Sequence, residues 1–583
     1  MLPSGADIKI GSYEFHLARG EGAYRYVRQP VQDERIVVWD QDDWSGGEGL
    51  EFYDPSQTNR YWYGKANPRI PGSVTAPPDR SQASLTTGAS PSIAVFANGA
   101  GITWVCYDRH LYYTSNGTTW TAHPSNPVFG AGYSIKAAAA VGDKLWVSAH
   151  DGTTRQVKEA TTSAVSTAVN DVTGPPFLGM ASHGGWVYGW TGKTLLRYNP
   201  KDTLPITQDN TMKVYQPALE TLPSTYYGAA AGGADGVFML YSSPGQAVVH
   251  RWRSSAGVDL WNLEGVTAKA MTVRSGIIYV LAEGPERRVE LHGMGAKALQ
   301  PMHLADVGEG VGAATALALG PGYGNTVLAA VTDGTTDYIY VYDPETGSLS
   351  ELDERSRSTD GGLIGLGLYG QRRLSAHGSA SAVKVNSWRS DRAPVTGSWQ
   401  LISPAWDLDS PYVRKQLLGF YVVQQPGSGT VTVYYQLDED GTWTSAGSTA
   451  SADKQKYIDL SGSNITCYTL RLRLDGTGGC RVLSVAPRLY VLSYAETWDL
   501  RVQVTDRRES TNPVPNASVL RGYLRSLHTN RQAVTLLDGR RYQERGGNGV
   551  GYSTHSVLVE AMEEEVGPTG EGTMRLLLRS VDP

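Results

Sequence analysis

Residues 37–65, VVWDQDDWSGGEGLEFYDPSQTNRYWYGK, gather six carboxylates (Asp40, Asp42, Asp43, Glu48, Glu51 and Asp54) among Trp39, Trp44, Phe52 and Tyr53. Three kinds of chemistry fit such a stretch. A glycosidase needs two carboxylates about 5–10 Å apart across a cleft lined by aromatic rings. A calcium loop would put Asp40, Asp42 and Glu51 at its first, third and twelfth positions, but Trp44 and Ser45 fall where a further ligand and an obligatory glycine belong. In the third reading WSGGEG is a turn cluster, and Asp40, Asp42 and Asp43 cap backbone amides. The stretch alone leaves all three open.

Other motifs carry less. GLGLYG (Gly365, Gly367, Gly370) spells a dinucleotide fingerprint, yet QRRLSAHGSA follows it where a helix should open. GMASHGG approaches a nucleophile elbow at Ser182, with Met180 where the first glycine belongs. YTSNGTTW (113–120) partly matches the hairpin box of sialidase-type propellers, with Ser115 where an acid is expected. The eleven histidines are scattered and the cysteines form no Cys-x-x-Cys pair, so no zinc site is indicated and no cofactor is expected. Asp235, Asp333 and Asp337 are available acids, each in a turn-like setting. Trp406, Tyr412, Tyr434, Tyr435 and Trp443 could form a sugar-facing platform, although strand alternation turns about half of such a set inward.

The elements that must position these residues are β-strands. Tyr (33) and Trp (15) outnumber Phe (7), and 67 glycines punctuate β-branched and aromatic runs, a mainly all-β composition. A net charge of −6 without a run of Lys and Arg argues against a nucleic-acid partner. No apolar run is long enough for a membrane-spanning helix, and no signal peptide is visible at the start. Three cysteines make no disulfide framework; free thiols in a reducing cytoplasm are expected, with CYTLRLRLDGTGGC (467–480) read as a hairpin.

Four segments follow. Residues 1–90 read as an extended entry or assembly segment with a Pro-rich stretch at 67–80. Over 91–394, paired apolar strands recur every 40 to 50 residues or so, the period of four-stranded propeller blades, with room for about seven. They run from GITWVCYDRHLYYTS near 101 through GNTVLAAVTDGTTDYIYVYDPETGSL near 324 to GLIGLGLYGQRRLSAHG near 362. Residues 395–495 alternate like a jelly-roll or lectin-like β-sandwich. Residues 496–583 read as a small α+β module. Its helix carries Val519, Leu520, Tyr523, Leu524 and Leu527 behind a cap at Ser518, and its strands are QAVTLLD, GRRYQER and HSVLVEAMEE.

Taken together, the WDQDDWSGGEG…FYDP…RYWYGKANPRIPG entry, the propeller-like repeats, SPAWDLDSPYVRKQLLGFYVV…GTVTVYYQLDEDGTWTSAG and the closing LRGYLRSLHTNRQAVTLLDGRRYQER…HSVLVEAMEEEV resemble the minor tail and tail-tip proteins of long-tailed (siphovirus-like) bacteriophages. The resemblance implies a non-enzymatic virion component, assembled in the host cytoplasm with other tail proteins as a symmetric homo-oligomer. It makes the acidic stretch an architectural entry loop. A receptor-recognition role toward a host envelope glycan is the alternative, and a propeller glycosidase acting on host polysaccharide a second one.

Overall fold

The computed structural model describes residues 6–18, 23–29, 36–49, 51–54, 57–86, 91–166, 170–198, 212–215, 227–233, 236–253, 257–285, 288–295, 301–391, 395–407, 414–426, 429–491, 495–504, 517–530, 532–538, 552–566 and 572–580. Strands dominate it. Among the described residues, seven antiparallel sheets of the repeat region stand around a ring as the blades of a β-propeller. Their innermost strands, from Ala94–Asn98 in the first to Gly362–Tyr369 in the seventh, each neighbour the next, and the seventh neighbours the first.

Residue type follows distance from the axis. Blades crowd toward the centre, so inner strands such as Ser134–Val141 (SIKAAAAV) and Thr315–Pro321 (TALALGP) use small side chains. Second strands such as Thr103–Tyr107 and Val327–Thr332 are buried at every residue, because a neighbouring blade covers each face. Those continuous apolar runs are what the sequence repeat records. The first six repeats are second and third strands of their blades, whereas GLIGLGLYGQRRLSAHG is the first and second of the last.

The ring closes with a strand from upstream of the first blade. Arg80–Thr86 forms the outer strand of the seventh blade, antiparallel to Ala382–Trp388, with Ala83 opposite Val385. A blade left with three strands would expose an unpaired edge, so this closure joins the two ends of the ring.

Residues 395–491 form two sheets over one apolar cluster that includes Trp399, Trp406, Leu417, Phe420, Val433, Leu472 and Leu489. The hairpin expected at 467–480 is absent. Leu470–Gly476 pairs with Val431–Leu437 and Trp399–Ile402 in one sheet, while Arg481–Val491 pairs with Lys415–Gln425 in the other. The GTGGC turn therefore crosses between sheets. Cys106, Cys467 and Cys480 are free and buried.

The C-terminal unit is a seven-stranded sheet carrying the helix Ala517–Thr529. Leu520, Leu524 and Leu527 are buried against it, but Val519 is exposed, and Ser518 lies inside the first turn. QAVTLLD and HSVLVEAMEE are strands, Val534–Asp538 and Ser553–Val566; GRRYQER lies outside the described residues. A further strand, Gly572–Ser580, completes the order.

The described strands of the first ninety residues join the other three units. Ile8–Ile10, Tyr13–Phe15 and Tyr24–Gln29 belong to the C-terminal sheet, and Ile36–Val38 joins the sandwich beside Arg481–Val491. Gly47–Glu48 and Arg60–Tyr61 extend the sixth blade, and Arg80–Thr86 finishes the seventh. Between these, Phe52 bridges Ala405, Tyr63 bridges Ile402 and Val74 bridges Val482. This strap stitches all three units together.

Candidate functional site

The acidic stretch is dispersed. Asp40 accepts a hydrogen bond from Ser484, and Asp43 caps the Ser45 amide at 2.9 Å. Glu51 pairs with Arg471 at 3.0 Å, and Asp42 is exposed. The calcium-loop set Asp40, Asp42 and Glu51 thus does not converge, and among the described residues no group of three or more His, Cys, Asp or Glu is placed to hold a metal ion. Gln41 takes over the loop's backbone instead, donating to the Asp43 and Thr58 carbonyls at 2.6 and 2.9 Å. Glu48 alone turns inward, onto the sixth blade.

The blade acids are also architectural. Asp333 accepts the amides of Thr335 and Thr336, both at 2.7 Å, and these bonds, led by the one from Thr336, hold its carboxyl down at about 2. Asp337 is fully buried, paired with Arg357 at 2.7 Å and accepting the Leu363 amide. Asp235 lies outside the described residues. A cavity of about 410 Å³ opens between the first two blades, lined by Asp108, Arg109, Tyr133 and Ser134 among others. Asp108 is the one carboxylate in its lining and already faces Arg109 (3.9 Å) and His110 (3.5 Å).

The remaining motifs resolve into strand geometry. Gly365 and Gly367 lie on the inner strand of the seventh blade, where it meets the first. A Cβ on Gly365 would strike the Ala94 carbonyl, and one on Gly367 the Phe96 ring. The fingerprint is a packing requirement of ring closure. Ser182 sits within the strand Gly179–His183. In YTSNGTTW, Thr114 and Asn116 side chains cap the amides of Gly117, Thr118 and Thr119, and the Ser115 carbonyl accepts the Tyr369 hydroxyl.

The aromatic set divides by alternation. Trp406 and Tyr435 are buried in the sandwich and offer no platform; Tyr412 lies outside the described residues. Tyr434 and Trp443 stay half-exposed on the outer face of one sheet. The Arg473 guanidinium lies over Tyr434 at 4.1 Å and 5.7 Å from the centroid of Trp443, held by Asp475 at 2.9 Å, to which Gln400 donates at 3.0 Å. On the same strand and face, Arg471 lies over Trp62 of the strap at 4.4 Å. The sequence reading missed both arginines and Trp62. The alternation of RLRLD at 471–475 was the signal that could have found them, because it turns Arg471, Arg473 and Asp475 together away from the sandwich core, where the strap then covers Arg471.

The strap also meets a buried ionic network that no motif announced. Asp391 accepts from Arg69 at 2.6 Å and from both terminal nitrogens of Arg373 at 2.7 and 3.0 Å, and the two guanidiniums hold its carboxyl low against the opposing effect of burial. Asp353 takes Lys65 at 3.0 Å and Arg355 at 2.7 Å.

No family model matches the chain, and no curated protein matches it. Solved structures similar to parts of it include the Cps50 (Swd1) β-propeller domain of Myceliophteria thermophila, at 11% identity over 53% of this chain and 99% of that one, with a TM-score of 0.39. Another is the RRP9 WD40 repeats, at 10% identity over 53% and 98%, TM-score 0.37. The extracellular domain of the B. thetaiotaomicron hybrid two-component system BT4673 is 13% identical over 63% of this chain and 44% of that one, TM-score 0.38.

Proposed function

We propose that this chain is a non-enzymatic structural component of a bacteriophage tail tip or fibre, which joins other tail proteins as a symmetric oligomer and presents its propeller and sandwich toward the host. The observation that carries this reading is the strap. One continuous segment supplies strands to the C-terminal sheet, the sandwich and two blades, which suits a part that must hold a fixed shape under load. Of the blade acids that a glycosidase would recruit, Asp333 is engaged in a cap and Asp337 in a buried ion pair. The resemblance of the entry stretch, sandwich and C-terminal module to tail-tip proteins supplies the biological setting.

A second role, recognition of a host envelope glycan, is favoured by the outer sandwich face. Tyr434 and Trp443 offer ring surface for the C–H face of a sugar, while Arg473, Asp475 and Gln400 offer donors and acceptors for its hydroxyls. The test is mass photometry of the purified chain, alone and with host envelope fragments. A defined oligomer supports the assembly role, and a chain that stays monomeric alone and with purified tail proteins refutes it. Saturable binding of the fragments that Trp443→Ala and Tyr434→Ala abolish without lowering Tm supports the glycan role. Binding unaffected by both substitutions removes it from this face, and glycan release in the same sample would revive the enzyme.

A further inference from the structure

Glu48 of the strap and Glu351 of the sixth blade's outer strand are neighbours at the joint between strap and propeller. Glu48 is 4% exposed and Glu351 1% exposed. Parallel pairing of Gly47 with Leu349 docks the strap on the outer strand of the sixth blade. Within each element a tyrosine is the register partner of the acid: Tyr61 for Glu48 and Tyr340 for Glu351. Four oxygens from this group, Glu48 Oε2, Glu351 Oε1 and the hydroxyls of Tyr61 and Tyr340, are buried with no hydrogen-bond partner in the protein.

The neighbouring cations are committed elsewhere. Lys65 is on Asp353 at 3.0 Å, Arg69 on Ser350 and Asp391, and Arg60 on the Glu48 and Gly347 carbonyls. Arg80 and Arg355 also face Asp353. The other acids around the pair are Glu309 of the turn Glu309–Val311, Glu354 and Asp353, with the phenols of Tyr63 and Tyr338 beside them. Lys65 acts on Glu351 in the opposite sense to burial and Glu354 but does not outweigh them, and two buried carboxylates with no cation bonded to either cannot both ionise cheaply.

We propose that Glu48 and Glu351 form a proton-operated latch, which holds Gly47–Glu48 and, through it, Arg60–Tyr61 on the sixth blade while the pair keeps its protons and loosens them when both carboxyls ionise. Burial, then the Glu351 and Glu309 carboxylates, push Glu48 well above its usual range; burial and Glu354 push Glu351 up to about 8. A carboxyl whose docked value is raised binds its proton more tightly docked than released. Docking is therefore strongest below the ordinary glutamate range and weakens as pH climbs through it and on past about 8, where Glu351 gives up its proton.

Hydrogen exchange of residues 57–66 in the full chain, corrected for the intrinsic pH dependence of exchange, tests the latch between about pH 5 and about pH 9. The wild type is expected to lose protection by about tenfold or more over that range, since a carboxyl that holds its proton about ten times more tightly when docked favours docking by that same factor. Glu48→Gln and Glu351→Gln, neutral and nearly isosteric, should each flatten the profile and hold the segment at the upper end. Protection in the wild type that does not change with pH overturns the proposal, as does an unchanged profile in both variants. Protection at high pH that disappears with a chelator and returns with calcium would also overturn it, assigning the unpartnered oxygens to a cation.

Discussion

Asp391 shows how a single residue carries the junction. Its carboxylate joins Arg69 of the strap to Arg373 of the seventh blade, and Arg373 is fully buried. Removing one partner of such a set leaves the other charges buried and uncompensated, at about 3–5 kcal/mol. Asp391→Ala is therefore expected to lower Tm sharply at neutral pH, measured by calorimetry, whereas Asp42→Ala on the exposed part of the loop should leave it within error. The two arginines hold the Asp391 carboxyl low, so this contribution is present above the ordinary aspartate range and is lost only under strong acid. The Glu48–Glu351 pair has the opposite sign, and Glu351→Gln should raise Tm most at the alkaline end. None of this was legible in sequence. Six acids in fifteen residues look alike there, and the one that turns inward does so because its segment pairs with a strand just over three hundred residues further on, Leu349 opposite Gly47.

At the scale of elements, the strand Gly362–Tyr369 and the strand Arg80–Thr86 decide whether the ring closes. Gly365 lets the inner strands of the seventh and first blades approach backbone to backbone, so Gly365→Ala must displace the Ala94 carbonyl. Overpacking of this kind costs about 1–3 kcal/mol, and the predicted consequence is a lower Tm with faster exchange in Ala94–Asn98. Removal of residues 1–90 takes a strand from the seventh blade, two from the sixth, one from the sandwich and three from the C-terminal sheet. That truncation should yield an aggregated or partly folded product in sedimentation, because it bares edges in every unit at once. A truncated chain that sediments as a compact monomer with an unchanged Tm would contradict this stitching role. The middle strands of each blade were readable because both faces are covered and the apolar run is unbroken. The outer strands were not, since their residues follow no pattern that distinguishes them from loops.

At the scale of the whole molecule, propeller, sandwich and C-terminal sheet are covalently and topologically tied by one strap. The proposed tail-tip role follows from that shape and from the resemblance, and it predicts a defined oligomer larger than the 62.9 kDa chain. Contacts able to hold such an assembly bury upward of about 1,000 Å² each. On the outer sandwich face Trp62 of the strap covers Arg471, while Arg473 beside it stays partly exposed, so elements far apart in sequence meet on one face. Trp443→Ala should weaken envelope binding with little effect on the oligomer, which separates recognition from assembly in one preparation.

Local pattern, through strand alternation, turn residues, the spacing of apolar pairs and helical periodicity at 519–527, is enough to determine a mainly β chain with a propeller-like repeat and a small helix near its end. It does so because side-chain periodicity and turn chemistry act over a few residues. Only the tertiary structure decided where the first ninety residues run, which of the quoted aromatics face solvent, and that Glu48 meets Glu351. Those outcomes depend on pairings between distant strands, such as Gly47 with Leu349 and Ala83 with Val385, whose register is set by burial across the assembled sheets.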